Sequence, residues 1–110
     1  EKLFELMDSE KLFRIPTLTI IELAEKLDIS HLYLSQIINL HTGMTFYTLL
    51  NMYRVTEVME KLVSEQYKDE NVITVAFESG FNTKSSFNSV FKKFTSLTPT
   101  QYRKKYNTFL

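Results

Sequence analysis

Two short stretches of the chain carry residue types that can read or hold a polyanion. In the first, Leu32, Ser35, Gln36 and Asn39 recur at i, i+3, i+4 and i+7, the spacing of one helix face. Leu34, Ile37 and Ile38 form an apolar stripe on the other side. The carboxamides of Gln36 and Asn39 each offer a donor beside an acceptor, which matches the edge of adenine in a major groove; an outward Leu32 can touch a thymine methyl. Ser30 and the first amides of that helix are placed to hold a phosphate, and His31 beside them reads as a polar surface residue or backbone contact. In the second stretch Lys84, Ser85, Asn88, Ser89 and Lys92 face away from Phe87, Val90 and Phe91. Lys84 can reach guanine or a phosphate, Asn88 a base, and Lys92 with Lys93 can neutralise backbone charge. Purely structural readings stand beside these: Leu32 as the rim of a core, and Lys92 with Lys93 as a solvated face complementing a helix C-terminal dipole.

The charge distribution bears on the choice. The 110 residues hold 13 Lys/Arg and 13 Asp/Glu, a formal balance of zero. Residues 1–70 carry seven Lys/Arg against twelve Asp/Glu, whereas residues 71–110 carry six against one, Glu78. A basic C-terminal third suits an anionic partner such as nucleic acid; the competing reading is an electrostatic contact between the two ends. Hydrophobic residues at 44% and charged residues at 24% describe a folding chain rather than a disordered tail. No apolar run is long enough to span a membrane, so no membrane contact is expected of this segment. There is no cysteine, which excludes disulfides, thiolate metal sites and a cysteine nucleophile and suits a reducing compartment. The opening Glu1-Lys2-Leu3 is neither an initiator Met nor a signal peptide, which leads us to expect a piece of a longer protein.

The elements that must position these residues are helical. Gly and Pro together number four. Lys2 to Phe13 has helical spacing and is stopped by Pro16. Thr19 with Glu22 forms a capping box ahead of a helix over Ile20–Leu27. Asp28 supplies a turn, Ser30 caps a helix over His31–Leu40, and Gly43 ends it. Thr45 caps the longest helix, roughly Phe46 to Val63, with Phe46, Leu49, Leu50, Tyr53, Val58 and Leu62 as its apolar stripe. Asn71 caps Val72–Ser79, Gly80 turns the chain, and Thr83–Phe94 is the next helix. Thr98, Pro99 and Gln101 begin the last. No stretch alternates over strand length, so the expected fold is all-α with about seven helices.

The chain also repeats itself. Thr19 and Asn71, Ala24 and Ala76, and Ile29 and Phe81 lie 52 residues apart. After one inserted residue, Leu34 pairs with Phe87, Ile37 with Val90, Ile38 with Phe91, and Thr42–Phe46 with Thr95–Pro99, all 53 apart. Each copy has what a helix-turn-helix requires: a small residue where two helices cross, a permissive turn position (Asp28, Gly80), an apolar plug after it, and a second helix with one buried face. The expected organisation is residues 1–44 as a first helix-turn-helix subdomain, 45–63 as a linker helix and 64–110 as a second. A linker of nineteen residues would span about 28 Å, against the ~34 Å repeat of DNA.

On these residues the chain resembles the DNA-binding domain of the AraC/XylS family of bacterial transcription regulators. The resemblance is carried by Val75-Ala76, Gly80-Phe81-Asn82, Ser85-Ser86-Phe87, Val90-Phe91-Lys92-Lys93, Thr98-Pro99 and Tyr102-Arg103, and earlier by Leu23-Ala24, Ile29-Ser30, Leu34-Ser35, Thr42-Gly43-Met44 and Arg54. It runs from about Leu18 to Arg103. Ser96 stands where the family usually has Gly, which implies strain in that turn. Val58 stands where a small Ala is usual, which implies looser or shifted packing. The resemblance implies sequence-specific binding of double-stranded DNA, with two recognition helices in successive major grooves. It also implies RNA polymerase as a partner and a sensory or dimerisation domain elsewhere in the full protein, in the cytoplasm or tethered to a membrane. Arg54, a family position, is expected to buttress the helix interface through an ion pair rather than to touch a base.

Two other classes find less support. For an enzyme, His31 and His41 lie ten apart with no carboxylate at metal-helix spacing, and no phosphate loop or nucleophile motif is present. Neither catalysis nor a cofactor or metal is expected. A helical protein-interaction module without DNA binding is the second alternative, and the acidic first half is compatible with it.

Overall fold

The structure is a computed structural model and describes residues 2–107. Glu1, where the fragment reading begins, and residues 108–110 lie outside it. Among the described residues there are seven α-helices and no strands: α1 (Lys2–Asp8), α2 (Ile20–Leu27), α3 (His31–Thr42), α4 (Phe46–Leu62), α5 (Val72–Glu78), α6 (Lys84–Thr95) and α7 (Pro99–Tyr106). Two 3-10 turns, Leu12–Arg14 and Glu65–Tyr67, complete the path. The molecule measures 47 × 24 × 23 Å.

The local signals place the helix ends. Thr19 and Thr98 each form a complete capping box, with Glu22 and Gln101 as the reciprocating side chains. Ser30, Thr45, Asn71 and Thr83 each accept a hydrogen bond from an amide of the first helical turn. The repeat persists down to single hydrogen bonds. Ile29 N–H donates to Ala24 O and Phe81 N–H to Ala76 O, both at 3.1 Å. Thr42 Oγ1 donates to Ile38 O and Thr95 Oγ1 to Phe91 O, so the last turn of each second helix is tied down in the same way. Gly43 and Ser96 then close α3 and α6 in the left-handed region, at φ 71° and 65°. A serine does occupy the position where glycine is favoured.

Two hydrophobic cores are built on α4. Its first half sends Phe46, Leu49 and Leu50 into a core with Leu3, Leu6, Met7, Phe13, Leu23, Leu34 and Ile38. Its second half sends Val55, Val58 and Leu62 into a core with Val75, Ala76, Phe81, Phe87 and Phe91. Val58 is fully buried there. Val55 belongs to the buried stripe, and Tyr53, expected on it, is only half-buried, stacked on Phe13 at 5.6 Å.

The first segment departs from expectation. It does not run as one helix from Lys2 to Phe13: α1 ends at Asp8, Lys11 turns left-handed at φ 52°, and Leu12–Arg14 forms a 3-10 turn. Chain end and Pro16 alone do not set this shape. Arg54 does, because its buried guanidinium donates from Nε to Phe13 O at 2.7 Å and from Nη2 to Ile15 O at 2.9 Å. The ion pair expected of Arg54 is therefore corrected: its partners are backbone carbonyls. Burial pushes its pKa down to about 10, so it still carries its charge at neutral pH. The other helix ends differ from expectation by one or two residues; α4 has 17 residues and α3 runs on to Thr42.

Candidate nucleic-acid interface

The second helix of each motif, α3 and α6, presents one buried and one bare face. Leu34 and Ile38 anchor α3, and Phe87 and Phe91 anchor α6 at the equivalent positions. Ile37 and Val90, also equivalent, are half-buried at the margin. Every residue expected on the outward faces is exposed: Ser30, His31, Leu32, Ser35, Gln36 and Asn39 in the first motif, and Lys84, Ser85, Asn88, Ser89, Lys92 and Lys93 in the second. Leu32, at 68% exposed, is not a rim residue of the core. Ser30 Oγ accepts from Tyr33 N–H at 3.1 Å, so the cap occupies an acceptor and leaves the O–H for a phosphate oxygen.

The structure adds residues that the sequence reading passed over. Tyr33 and Leu40 are 55% and 81% exposed on the same side of α3 as Gln36. Thr83 caps α6 as Ser30 caps α3, with the same 3.1 Å bond to the third helical amide. The repeat itself could have found them, since Thr83, Ser86 and Lys93 are the 53-residue counterparts of Ser30, Tyr33 and Leu40.

The outward faces differ in charge. Between its termini α3 carries no Lys, Arg, Asp or Glu, whereas α6 carries Lys84, Lys92 and Lys93. None of these lysines forms an ion pair among the described residues, so the charge separation is not neutralised by contact between the two ends. Lys84 and Asn88 also line a polar cleft of about 400 Å³ with Asn71, Thr98 and Thr100, between α6 and the starts of α5 and α7. Lys84 thus sits at the margin of the α6 face rather than at its centre, which Ser89 occupies.

Arg103 performs in the second half a task like that of Arg54 in the first. Its guanidinium donates to Tyr67 O at 2.9 Å, Glu70 O at 2.8 Å and Leu62 O at 3.3 Å, gathering the link between α4 and α5. Two buried or half-buried arginines therefore clamp irregular backbone around α4, and neither is available to a base. No group of three or more His, Cys, Asp or Glu side chains able to hold a metal occurs among the described residues. No helix among them is long and apolar enough to cross a membrane.

Two bihelical units in tandem, sharing a helix and each presenting a solvent-bare second helix, define a double helix-turn-helix DNA-binding domain. The helix-turn-helix domain family matches residues 23–105. Over 103 residues the chain is 32% identical to an HTH-type transcriptional regulator of Staphylococcus aureus, covering 94% of the chain and 13% of that protein. It thus spans about an eighth of the length of such relatives. Among solved structures it is similar to the C-terminal domain of AraT, a response regulator from Geobacillus stearothermophilus, at 30% identity and TM-score 0.81, covering 92% of this chain and 83% of that one. An AraC-type transcriptional regulator from Chromobacterium violaceum shares the fold at TM-score 0.77 and 15% identity, with 99% and 97% of the two chains covered. The chain belongs to the AraC-type helix-turn-helix family of DNA-binding transcription regulators.

Proposed function

We propose that this domain binds a specific double-stranded DNA site by laying α3 and α6 in successive major grooves. The observation that supports this most directly is the equivalence of the two helices: the same cap, the same buried pair and the same terminal lock leave the same face bare in each. In this reading Gln36 and Asn39 bond adenine, Leu32 meets thymine methyls, and Ser35 completes the face. Asn88 with Ser85 and Ser89 reads the second groove. Ser30, His31, Lys84, Lys92 and Lys93 hold phosphates and fix register. The subdomains divide at 1–44 and 64–110, with residues 45–63 as the rigid connector.

At 17 residues α4 spans about 26 Å, less than the ~34 Å turn of DNA. The duplex therefore bends towards the protein, at about 1–6 kcal/mol. With few cations in the first motif the isolated domain binds modestly, and a sensory or dimerisation region elsewhere in the full protein raises affinity through effective concentration. The name of the Geobacillus relative, a response regulator, supports such a fused region. RNA polymerase is the partner through which binding would alter transcription, in the cytoplasm where the DNA lies. No catalytic role is assigned.

Selection of bound duplexes from a random pool tests this directly. Two short conserved blocks centred about one helical turn, ~10 base pairs, apart are expected. A pool that shows no enrichment, or enriches a single block, would sink the two-groove reading.

A further inference from the structure

The segment Leu12–Ile15 touches both halves of the molecule. The Phe13 side chain is buried in the first core and stacks on Tyr53. Its carbonyl faces the other way, towards the turn of the second motif. A Cβ on Gly80 would overlap Phe13 O and would stand 2.7 Å from Arg54 Nε and 3.0 Å from Arg14 Cα. Gly80, at φ 110°, lacks a side chain because the backbone of this segment lies against it.

The neighbouring side chains reinforce the contact. Arg14 grips the Glu57 carboxylate with both nitrogens of its fork, Nε lying 2.9 and 3.0 Å from the two oxygens. Glu57 is 5% exposed on α4, with Lys61 at 3.5 Å. Ser79, the residue before Gly80, is fully buried; its Oγ lies outside ordinary hydrogen-bond distance of any side chain yet near enough to Glu57 to favour the charged carboxylate. Glu78, also on the second motif, acts electrostatically on Arg14. One short segment is thus fixed by its side chain to the first core, by its carbonyls to Arg54, and by Arg14 to a carboxylate lying against the second turn.

We propose that Leu12–Ile15 is a strap that sets the orientation of the second recognition helix relative to the first. The long helix α4 fixes the distance between the motifs but shares only one side with each, and an added brace at the α5–α6 turn removes the freedom to rotate about it. Arg14, Glu57 and Gly80 are positioning residues for a two-groove site. A pull on the chain ahead of Leu12 would reach the second motif through this strap, which gives an upstream region a mechanical route to the DNA-binding face. The affinity consequence rests on the DNA-binding reading; the orientation consequence does not.

The chain has no cysteine, so spin labels can be placed at Glu25→Cys on α2 and Lys104→Cys on α7, both exposed. The parent is expected to give one narrow inter-label distance and Arg14→Ala a broad or displaced one. Arg14→Ala is also expected to lose about tenfold in affinity for a duplex carrying both half-sites, and nothing for either half-site alone, because only simultaneous engagement needs the fixed angle. Arg14→Lys, which keeps the charge without the fork, should recover part of the loss. Should Arg14→Ala not fold, Glu57→Gln, which keeps the shape and weakens the grip, is read in the same way. An unchanged distance distribution overturns the strap, as does an equal loss on single half-sites. If no duplex binds the parent, the DNA reading fails while the label distances still decide this one.

Discussion

The two helix-turn-helix units are copies in their interior and differ at their surfaces. Inside, equivalent residues make equivalent bonds, and the substitutions are of volume: Leu34 and Ile38 in the first core are Phe87 and Phe91 in the second. The second core has an aromatic spine, with Phe81, Phe87, Phe91 and Tyr102 in a chain of ring contacts at 5.1 to 5.6 Å. Outside, α3 offers amides and bare apolar groups where α6 offers hydroxyls, one amide and three lysines. Interior equivalence keeps two scaffolds of one design; under the function proposed above, exterior divergence would let one groove be read for its bases and the other be held mainly by its phosphates.

The harshest test of this pairing is to hollow each core. Phe87→Ala should cost about 3–5 kcal/mol and Leu34→Ala about 2–5 kcal/mol, since both side chains are buried and neither site can collapse freely. Urea denaturation gives the totals. Amide exchange locates them: Phe87→Ala is expected to deprotect α5 to α7 ahead of α2 and α3, and Leu34→Ala the reverse. Equal deprotection of both halves by either change would show one core where we describe two.

A gentler test separates the surfaces. Replacing Lys92 and Lys93 together by Ala should flatten the salt dependence of log K by about 1.8, two phosphates' worth, for all sequences alike. Gln36→Ala should leave that slope alone and cost about 1–3 kcal/mol at one base-pair position. If the lysine pair changed base preference, or Gln36 changed the slope, the division of labour would be reversed.

The contrast also shows which features sequence reasoning could reach. Caps and capping boxes are legible because each depends on residues within one turn of one another, as with Thr19 and Glu22 or Thr98 and Gln101, and the repeat is legible because such local patterns recur at a fixed offset. The exposed faces followed from the positions of Leu34 and Ile38, since a helix with one known buried stripe has a known opposite side. The strap was not legible. The conformation of Lys11 to Ile15 is imposed by Arg54, some 40 residues on, and by a turn further still, and no local pattern announces it. The structural role of Arg54 is legible, but its partners are carbonyls, which every residue has and no sequence marks. Tyr33 and Leu40 are harder to place because apolar types suggest a core; only their counterparts in the repeat, Ser86 and Lys93, mark them as outward.

Acid should weaken the contact between the copies through Glu57. Burial pushes the pKa of Glu57 up, but the hydrogen bonds from Arg14, the nearby Ser79 hydroxyl and the charges of Lys61 and Arg14 outweigh it and hold the carboxyl below its ordinary 4.5. A lowered folded-state pKa means the unfolded chain takes the proton first. The contribution is therefore fully present above about pH 5 and is lost as the pH falls through the folded-state value. Urea midpoints measured from about pH 7 down to about pH 3 should fall less steeply in Glu57→Gln than in the parent. Parallel curves would remove Glu57 from the linkage.

The smallest effect concerns the exposed residue that closes the second helix of each copy, glycine in one and serine in the other. Gly43 and Ser96 close equivalent helices at nearly the same left-handed φ, 71° and 65°. Left-handed backbone costs an L-residue about 1–2 kcal/mol, and glycine returns about 0.5–1 kcal/mol of that as lost unfolded-state freedom. Ser96→Gly should therefore stabilise the protein by up to about 1 kcal/mol, and Gly43→Ala should destabilise it by about as much. Nothing lies within 4 Å of a Cβ on Gly43, so the whole loss there is conformational. Gly80→Ala should cost clearly more than Gly43→Ala, because at Gly80 the backbone penalty is joined by overlap with the strap. Thermal melting of the three variants orders them. If Gly43→Ala proved as damaging as Gly80→Ala, φ alone would account for both, and the crowding at the second turn would have no separate energetic weight.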